Sequence, residues 1–391
     1  MSTDFELLSD AGGAIRQVAI RLRGEWMTEP VERLAYESLL TSLRNTDVVI
    51  VTAQSTRDQL TEWLSTLNVP RHRIIDVPDD QFDDSHAWPR DTLLSAKAKG
   101  NGAPVHVHPI VSRMGELGSW LTTGLSATKR VAPVSLDGGD SLVVDKTRWL
   151  VGAGAVAATM KQGGGPRRSW DDAVTDIETA IGRKPIVAGF RYEDVEEPLR
   201  AMRLRMRGAN AAHAPQNAGT AGRFMSRFFG DAKAARRLFD ELAAEKLHTD
   251  WLHLDMVASL TGTERDGKPL ILVADTMAPE CPPDPEAEGR NLFLCALELE
   301  LGRQGFSIKR IPAPCVGAFV LPYTNTILQT NPNEVWLPAF TAPGHDHRQT
   351  DAANARIWTD LGFAVHQLNG WRAFLESEGS IRCATLALQR N

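Results

Sequence analysis

The chain has 391 residues, 42% apolar and 24% charged, with a net charge of −6 from 43 Lys and Arg against 49 Asp and Glu. This is the composition of a folded globular protein long enough to bury a large core without disulfides or structural metals. It lacks the basic excess of a dedicated nucleic-acid binder, so no nucleic-acid partner is expected.

Along the chain, Gln17–Leu22 and Asp47–Thr52 read as strands. Between them Glu29–Asn45 has helical periodicity, with Leu34, Leu39, Leu40 and Leu43 on one face. Thr56–Leu67 is a second helix and Arg73–Val77 a short strand, and this alternation is the α/β signature. A looser recurrence follows, in which five apolar strands each come after a small polar signature. Trp88-Pro89-Arg90-Asp91 precedes TLLS, Asp137-Gly138-Gly139-Asp140 precedes SLVV, and His253-Leu254-Asp255 precedes MVASL. Tyr323-Thr324-Asn325 precedes TIL, and Ser380-Ile381-Arg382-Cys383 precedes ATLAL.

Comparable elements continue these units. Trp149–Val151, a helix over Ser169–Ile181 and Pro185–Val187 follow SLVV. LILVAD, a helix over Ala287–Gln304 and Phe306–Ile311 follow MVASL. Val335–Ala339, a helix over Asp351–Leu361 and Ala364–Gln367 follow TIL, and Val105–His108 is the one later strand after TLLS. Length alone suggests two or three domains. The recurrence replaces that with one domain over residues 1–391, a closed, roughly five-fold arrangement of β-β-α-β units with the signatures at one mouth. Residues 190–245 are an insertion or lid in it. Its basic part, Arg200–Arg237, has Asp231 as its one acid and reads first as a solvated helical pair with a small-residue connector, and otherwise as a mobile lid or a partner-binding patch.

The chain has four cysteines, Cys281, Cys295, Cys315 and Cys383, with no CxxC pair. That spacing suits a reducing compartment and neither a disulfide scaffold nor a zinc site. The first residues, MSTDFELLSDAGG, carry no apolar leader, and no uninterrupted apolar run reaches ~18 residues, so a cytoplasmic protein with no membrane partner is expected.

Three of the cysteines read as buried core, and Cys383 is set apart by the turn GSIRC that leads into a strand. In His253-Leu254-Asp255, strand alternation would put the imidazole and the carboxylate on one face. In Asp137-Gly138-Gly139-Asp140 the glycines allow a sharp turn between two carboxylates, and in Trp88-Pro89-Arg90-Asp91 the acid begins a strand. Taken singly each has a plain reading, which for Cys383 is a small buried hydrophobe, favoured by position alone, and for the others a turn or a surface strand. Together, a cysteine, a histidine and several acids suit attack on a planar cation. Carboxylates pair with a guanidinium through parallel hydrogen bonds, a thiolate attacks its carbon, and a histidine protonates the leaving nitrogen.

The ordered set WPRD, LDGGD, HLD and GSIRCAT resembles the guanidino-group-modifying enzymes of the pentein fold, from about Val18 to Leu388. These are the arginine deiminases, agmatine deiminases, dimethylarginine dimethylaminohydrolases and amidinotransferases. The resemblance implies a five-bladed α/β propeller and a C–N hydrolase acting on a linear amidine. It implies Cys383 as nucleophile, His253 as acid and base, Asp91 and Asp255 as the carboxylates gripping the guanidinium, and Asp137 orienting His253. Asp140 closes its motif. Trp88, Arg90, Asn325 and Arg382 join Asp140 as candidate substrate contacts. Arg382 before the cysteine is as in arginine deiminases, Tyr323-Thr324-Asn325 with EVWLPAF is closer to agmatine deiminases, and the DGGD form to the dimethylarginine enzymes.

The implied reaction is a deiminase reaction. A small cationic guanidine such as agmatine, arginine or a derivative forms a covalent amidino-thioether, ammonia leaves, and water releases a ureido product, with no metal or organic cofactor. The alternatives are amidino transfer to an amine, release of an alkylamine from a methylated arginine, and a ribosome- or RNA-associated binding protein of the same fold. A substrate α-carboxylate would call for an arginine, with Arg90, Arg191, Arg223 and Arg382 as candidates. Gly344-His345-Asp346-His347 has the spacing of a metal half-site without a third ligand, and Gly163-Gly164-Gly165-Pro166 lacks the GK[ST] of a phosphate loop. A homo-oligomer is compatible with the sequence.

Overall fold

The computed structural model describes residues 3–82, 88–110, 116–162, 168–189, 253–282, 287–316, 319–377 and 379–391. The expected insertion over residues 190–245, with Arg191 and Arg223, and the glycine run at residues 163–166 lie outside the described residues.

The chain begins with β1 (Phe5–Leu7), β2 (Ile15–Arg21), α1 (Pro30–Ser42), β3 (Asp47–Ala53), α2 (Arg57–Thr66) and β4 (His72–Val77). Next come β5 (Leu94–Ala98), β6 (Pro104–Pro109), α3 (Leu117–Gly124) and β7 (Thr128–Ala132). They are followed by β8 (Ser141–Val143), β9 (Trp149–Gly152), α4 (Ala153–Lys161), α5 (Trp170–Ile181) and β10 (Ile186–Ala188). Then β11 (Ala258–Arg265), β12 (Lys268–Asp275), α6 (Ala287–Arg303), β13 (Ser307–Pro312) and the hairpin β14 (Cys315–Val316) and β15 (Phe319–Val320). The chain ends with β16 (Ile327–Gln329), β17 (Glu334–Pro338), α7 (Arg348–Asp360), β18 (Ala364–Leu368) and β19 (Thr385–Arg390).

One pairing pattern recurs. β5 is antiparallel to β6, which is parallel to β7. β8, β9 and β10 repeat this, as do β11, β12 and β13, and β16, β17 and β18. Parallel neighbours need a long crossover, which the helices between them supply. The last sheet joins the chain's two ends: β19 is antiparallel to β2, with Thr385 opposite Ile20, and β2 runs parallel to β3 and β3 to β4. The sheets are separate ladders, so among the described residues they do not form one closed sheet. What the structure shows is an α/β fold of small mixed sheets.

β3 shows how burial follows from sequence. Val48, Val49, Ile50 and Val51 are all buried, as expected of a strand covered on both faces. Val48 and Ile50 share a core cluster with Leu39 and Leu40 of α1, while Val49 and Val51 pack with Leu117 and Leu121 of α3. Each such leucine contributes roughly 1.5–3 kcal/mol of burial.

Leu34, expected on the core face of α1, is 46% exposed, and Ala35, Tyr36, Leu39 and Leu40 form that face instead. β1, β7, α3 and α4 were not expected. β7 reads TKRVA and buries only Ala132, which leaves no apolar alternation to detect. No helix among the described residues is long and apolar enough to cross a membrane.

Candidate active site

Three of the five polar signatures fold as single 3-10 turns just ahead of their strands: Pro89–Asp91, Gly138–Asp140 and Leu254–Met256. This corrects two expectations. Asp91 does not begin a strand, since β5 starts at Leu94, and His253 with Asp255 does not lie on one. His253 is instead the extended residue that enters the Leu254–Met256 turn.

The turns are tied to one another by polar groups of the signatures themselves. Asp91 Oδ1 accepts the N–H of Gly139 at 3.0 Å, and Asp140 Oδ1 accepts the N–H of Leu254 at 3.0 Å. Asn325 Oδ1 accepts the N–H groups of Arg382 at 2.9 Å and Cys383 at 3.3 Å, and the Cys383 carbonyl accepts the N–H of Arg90 at 3.3 Å. The double glycine has a steric reason. A Cβ on Gly138 would lie 1.9 Å from the Arg90 carbonyl oxygen, and one on Gly139 would lie 2.3 Å from His253 Nδ1.

His253 sits between two carboxylates, with Nδ1 3.5 Å from Asp91 Oδ1 and Nε2 3.6 Å from Asp137 Oδ2. Cys383 is buried, with 1% of its surface exposed. Its Sγ accepts a hydrogen bond from Asn325 Nδ2 at 3.2 Å and lies 3.9 Å from Met256 Sδ. Asp255 is fully buried. Its Oδ2 takes Arg382 Nε at 3.1 Å, while its Oδ1 has no hydrogen-bond partner. A buried carboxylate oxygen in that condition is costly, and a donor arriving with a ligand would relieve it.

Arg90 and Arg382 are spent internally. Arg90 donates to the carbonyls of Gly138 at 2.9 Å and Ser141 at 2.8 Å, and pairs with Asp10 at 3.0 Å. Arg382 donates to the Ser141 carbonyl at 3.0 Å and pairs with Asp10 at 3.1 Å as well as with Asp255. Trp88 is half-buried, its ring 6.1 Å from that of Phe374, and a Cβ on Gly379 would strike it at 2.3 Å, so it packs on the segment leading to Cys383.

The charges are set against one another. Burial, reinforced by Asp137 and Asp255 and opposed by His253, pushes Asp91 up to about 6. Burial also pushes Asp140 up to about 6 and raises Asp255, against the pull of Arg382. Burial acts against the charged form of His253, yet Asp91, Asp137, Asp140 and Asp255 lift it well above its usual value. Burial, then Asp255 and Asp91, raises the Cys383 thiol well above the ordinary cysteine range. The resting site therefore has excess carboxylate and a protonated thiol, and a bound cation changes both.

Sequence reasoning missed Asp10, which lies in LSDAGG with no following strand to mark it, and Met256, which it took for strand. The His345–His347 loop gathers no third ligand, and among the described residues no cluster suits a metal ion. All four cysteines are free thiols.

No family model matches this chain, and no curated protein matches it by sequence. Solved structures do match in fold. The agmatine deiminase of C. jejuni is 13% identical with a TM-score of 0.59, over 98% of this chain and 95% of that one. A substrate-bound variant of it, 13% identical, reaches 0.62 over 99% and 97%. The agmatine deiminase of Enterococcus faecalis, 12% identical, reaches 0.62 over 100% and 98%. The likeness read from the motifs thus holds for the fold: the fold of this chain is similar to that of agmatine deiminases.

Proposed function

We propose that the protein is a guanidino-group hydrolase, a deiminase of a small cationic guanidine, with Cys383 as nucleophile. The observation that carries this reading is the buried, unpartnered Oδ1 of Asp255, in a site whose acids Asp255 and Asp91 both act on the Cys383 thiol. A guanidinium offers planar, paired donors to such carboxylates and an electrophilic carbon to the sulfur. Agmatine is the first candidate, because similar folds carry its name and because Arg90 and Arg382 are buried and already bonded to Asp10 and to backbone carbonyls. We read the five recurrent sheets as propeller blades around this site, and the free thiols as those of a cytoplasmic protein.

In the proposed reaction Asp91 and Asp255 hold the cation, whose charge favours loss of the Cys383 proton to solvent. The sulfur adds to the guanidinium carbon, and the carbon–nitrogen bond breaks as His253 gives its proton to the departing nitrogen. Ammonia leaves and an S-amidino thioether remains. Neutral His253 then takes a proton from water, the hydroxide adds to the same carbon, and the carbon–sulfur bond breaks to give the ureido product and the thiolate. Asp137 is positioned to hold Nε2 of His253 through both steps.

The test is a panel of guanidines, with products and released amines identified by mass spectrometry. Ammonia and a ureido product without an added amine support hydrolysis. Turnover only with an added amine makes the protein an amidinotransferase, and no turnover of any guanidine overturns the reading.

A further inference from the structure

Asp10 belongs to none of the recurrent signatures, yet it lies at the centre of the buried charges. It is 6% exposed, in the loop after β1, and is fixed there by β8: its N–H donates to the Val143 carbonyl at 2.8 Å and its Oδ2 accepts the Val143 N–H at 2.7 Å. Arg390 holds the Asp10 carbonyl at 2.9 Å. Its Oδ1 lies 3.0 Å from Arg90 and 3.1 Å from Arg382, so one carboxylate is shared by two buried guanidinium groups. Those arginines are the immediate chain neighbours of Asp91 and Cys383. Both also donate to the same Ser141 carbonyl.

We propose that Asp10 is a positioning residue that keeps Asp255 open to substrate by sharing the charge of Arg382. The proposal rests on the hydrolase reading for the identity of the ligand. Arg382 splits its donors between Asp10 and Asp255, touching only Oδ2 of the latter. Without the Asp10 charge, Asp255 is the one carboxylate left to Arg382. The guanidinium then pairs with both oxygens of Asp255, the geometry two such groups favour, and closes the oxygen that would receive the substrate. Arg90 would add its unbalanced charge against an incoming cation.

The test compares wild type with Asp10→Asn, which keeps size and removes charge. Guanidinium chloride is the probe in calorimetric titration, alongside steady-state kinetics and thermal melting. Affinity for guanidinium and KM are expected to weaken by about tenfold or more, with kcat falling much less. A role in folding alone would lower the melting temperature and leave the affinity of the folded protein unchanged, and that result overturns the proposal. Wild type that takes up no guanidinium overturns the hydrolase reading instead. Should Asp10→Asn not fold, wild-type crystals soaked in guanidinium chloride decide the matter. Arg382 staying on both Asp10 and Asp255, with the ion on Asp255 Oδ1, supports the proposal, and the ion displacing Arg382 from Asp255 overturns it.

Discussion

Asn325 holds Cys383 by both ends of its amide: Nδ2 donates to Sγ at 3.2 Å while Oδ1 accepts the N–H of the same residue at 3.3 Å. The donor favours the thiolate, and the acceptor fixes the backbone that carries it. Asn325→Ala removes both. A hydrogen bond to a charged group is worth about 1.5–3 kcal/mol, so kcat/KM should fall roughly 10- to 100-fold. Asn325→Asp should be worse, because a carboxylate beside the sulfur raises the thiol further. Ammonia-release kinetics check both, and an Asn325→Ala rate within twofold of wild type would remove the amide from the thiolate's support.

Cys383 is the group on which the proposed reaction turns. Cys383→Ala should abolish turnover while the fold survives, since it removes one small buried atom from a position tied down by the bond of its N–H to Asn325 and of its carbonyl to the Arg90 N–H. Circular dichroism and melting should show a shift of only about 1 °C, roughly what 1 kcal/mol produces in a chain of this size. Residual activity within tenfold of wild type would contradict the assignment.

The residues of this site were legible because each sat in a polar signature ahead of an apolar strand. Their local geometry was not. The alternation of two applied to His253 and Asp255 presumes a strand, whereas the chain forms a 3-10 turn there, and that choice is made by contacts such as Leu254 N–H with Asp140. The pairing of β19 with β2 was equally hidden, because strands at opposite ends of a chain leave no local signal. Asp10 illustrates the same limit, its role coming from arginines 80 and 372 residues away.

The pH profile follows from Asp91 and His253. Asp91, pushed up to about 6 by burial, must be ionised to hold a cation, and His253, raised well above its usual value by four carboxylates, must be protonated. kcat/KM should therefore fall as pH drops through about 6, where Asp91 takes up its proton, and fall again where His253 loses its own. Because Asp91, Asp140 and Asp255 interact, the measured limb belongs to the group. Asp91→Asn should lower kcat/KM by roughly 100-fold or more, as breaking a buried pairing costs about 3–5 kcal/mol. The stability linkage has two parts. Asp91 and Asp140 bind their protons more tightly in the folded state, so their contribution falls as pH rises from about 4 to 6. His253 contributes stability below its ordinary value, and that is lost as pH rises through its higher folded value. Kinetics and denaturation across pH check each separately, and unchanged kinetics in Asp91→Asn would take it out of the site.

Gly139 offers a purely steric test. A methyl group there would meet His253 Nδ1 at 2.3 Å, closer than real atoms come, and the imidazole must move. Since His253 lies between Asp91 and Asp137 at 3.5 and 3.6 Å, a shift of about 1 Å breaks its alignment with one of them, and misplacement on that scale costs about 100-fold in rate. Gly139→Ala should thus lose activity while still folding. Gly302→Ala is the control. It lies in α6 with nothing within 4 Å of the added atom, so activity should be unchanged and stability should rise by up to about 1 kcal/mol from helix propensity. Equal activity in the two variants would show that the His253 position does not govern the rate.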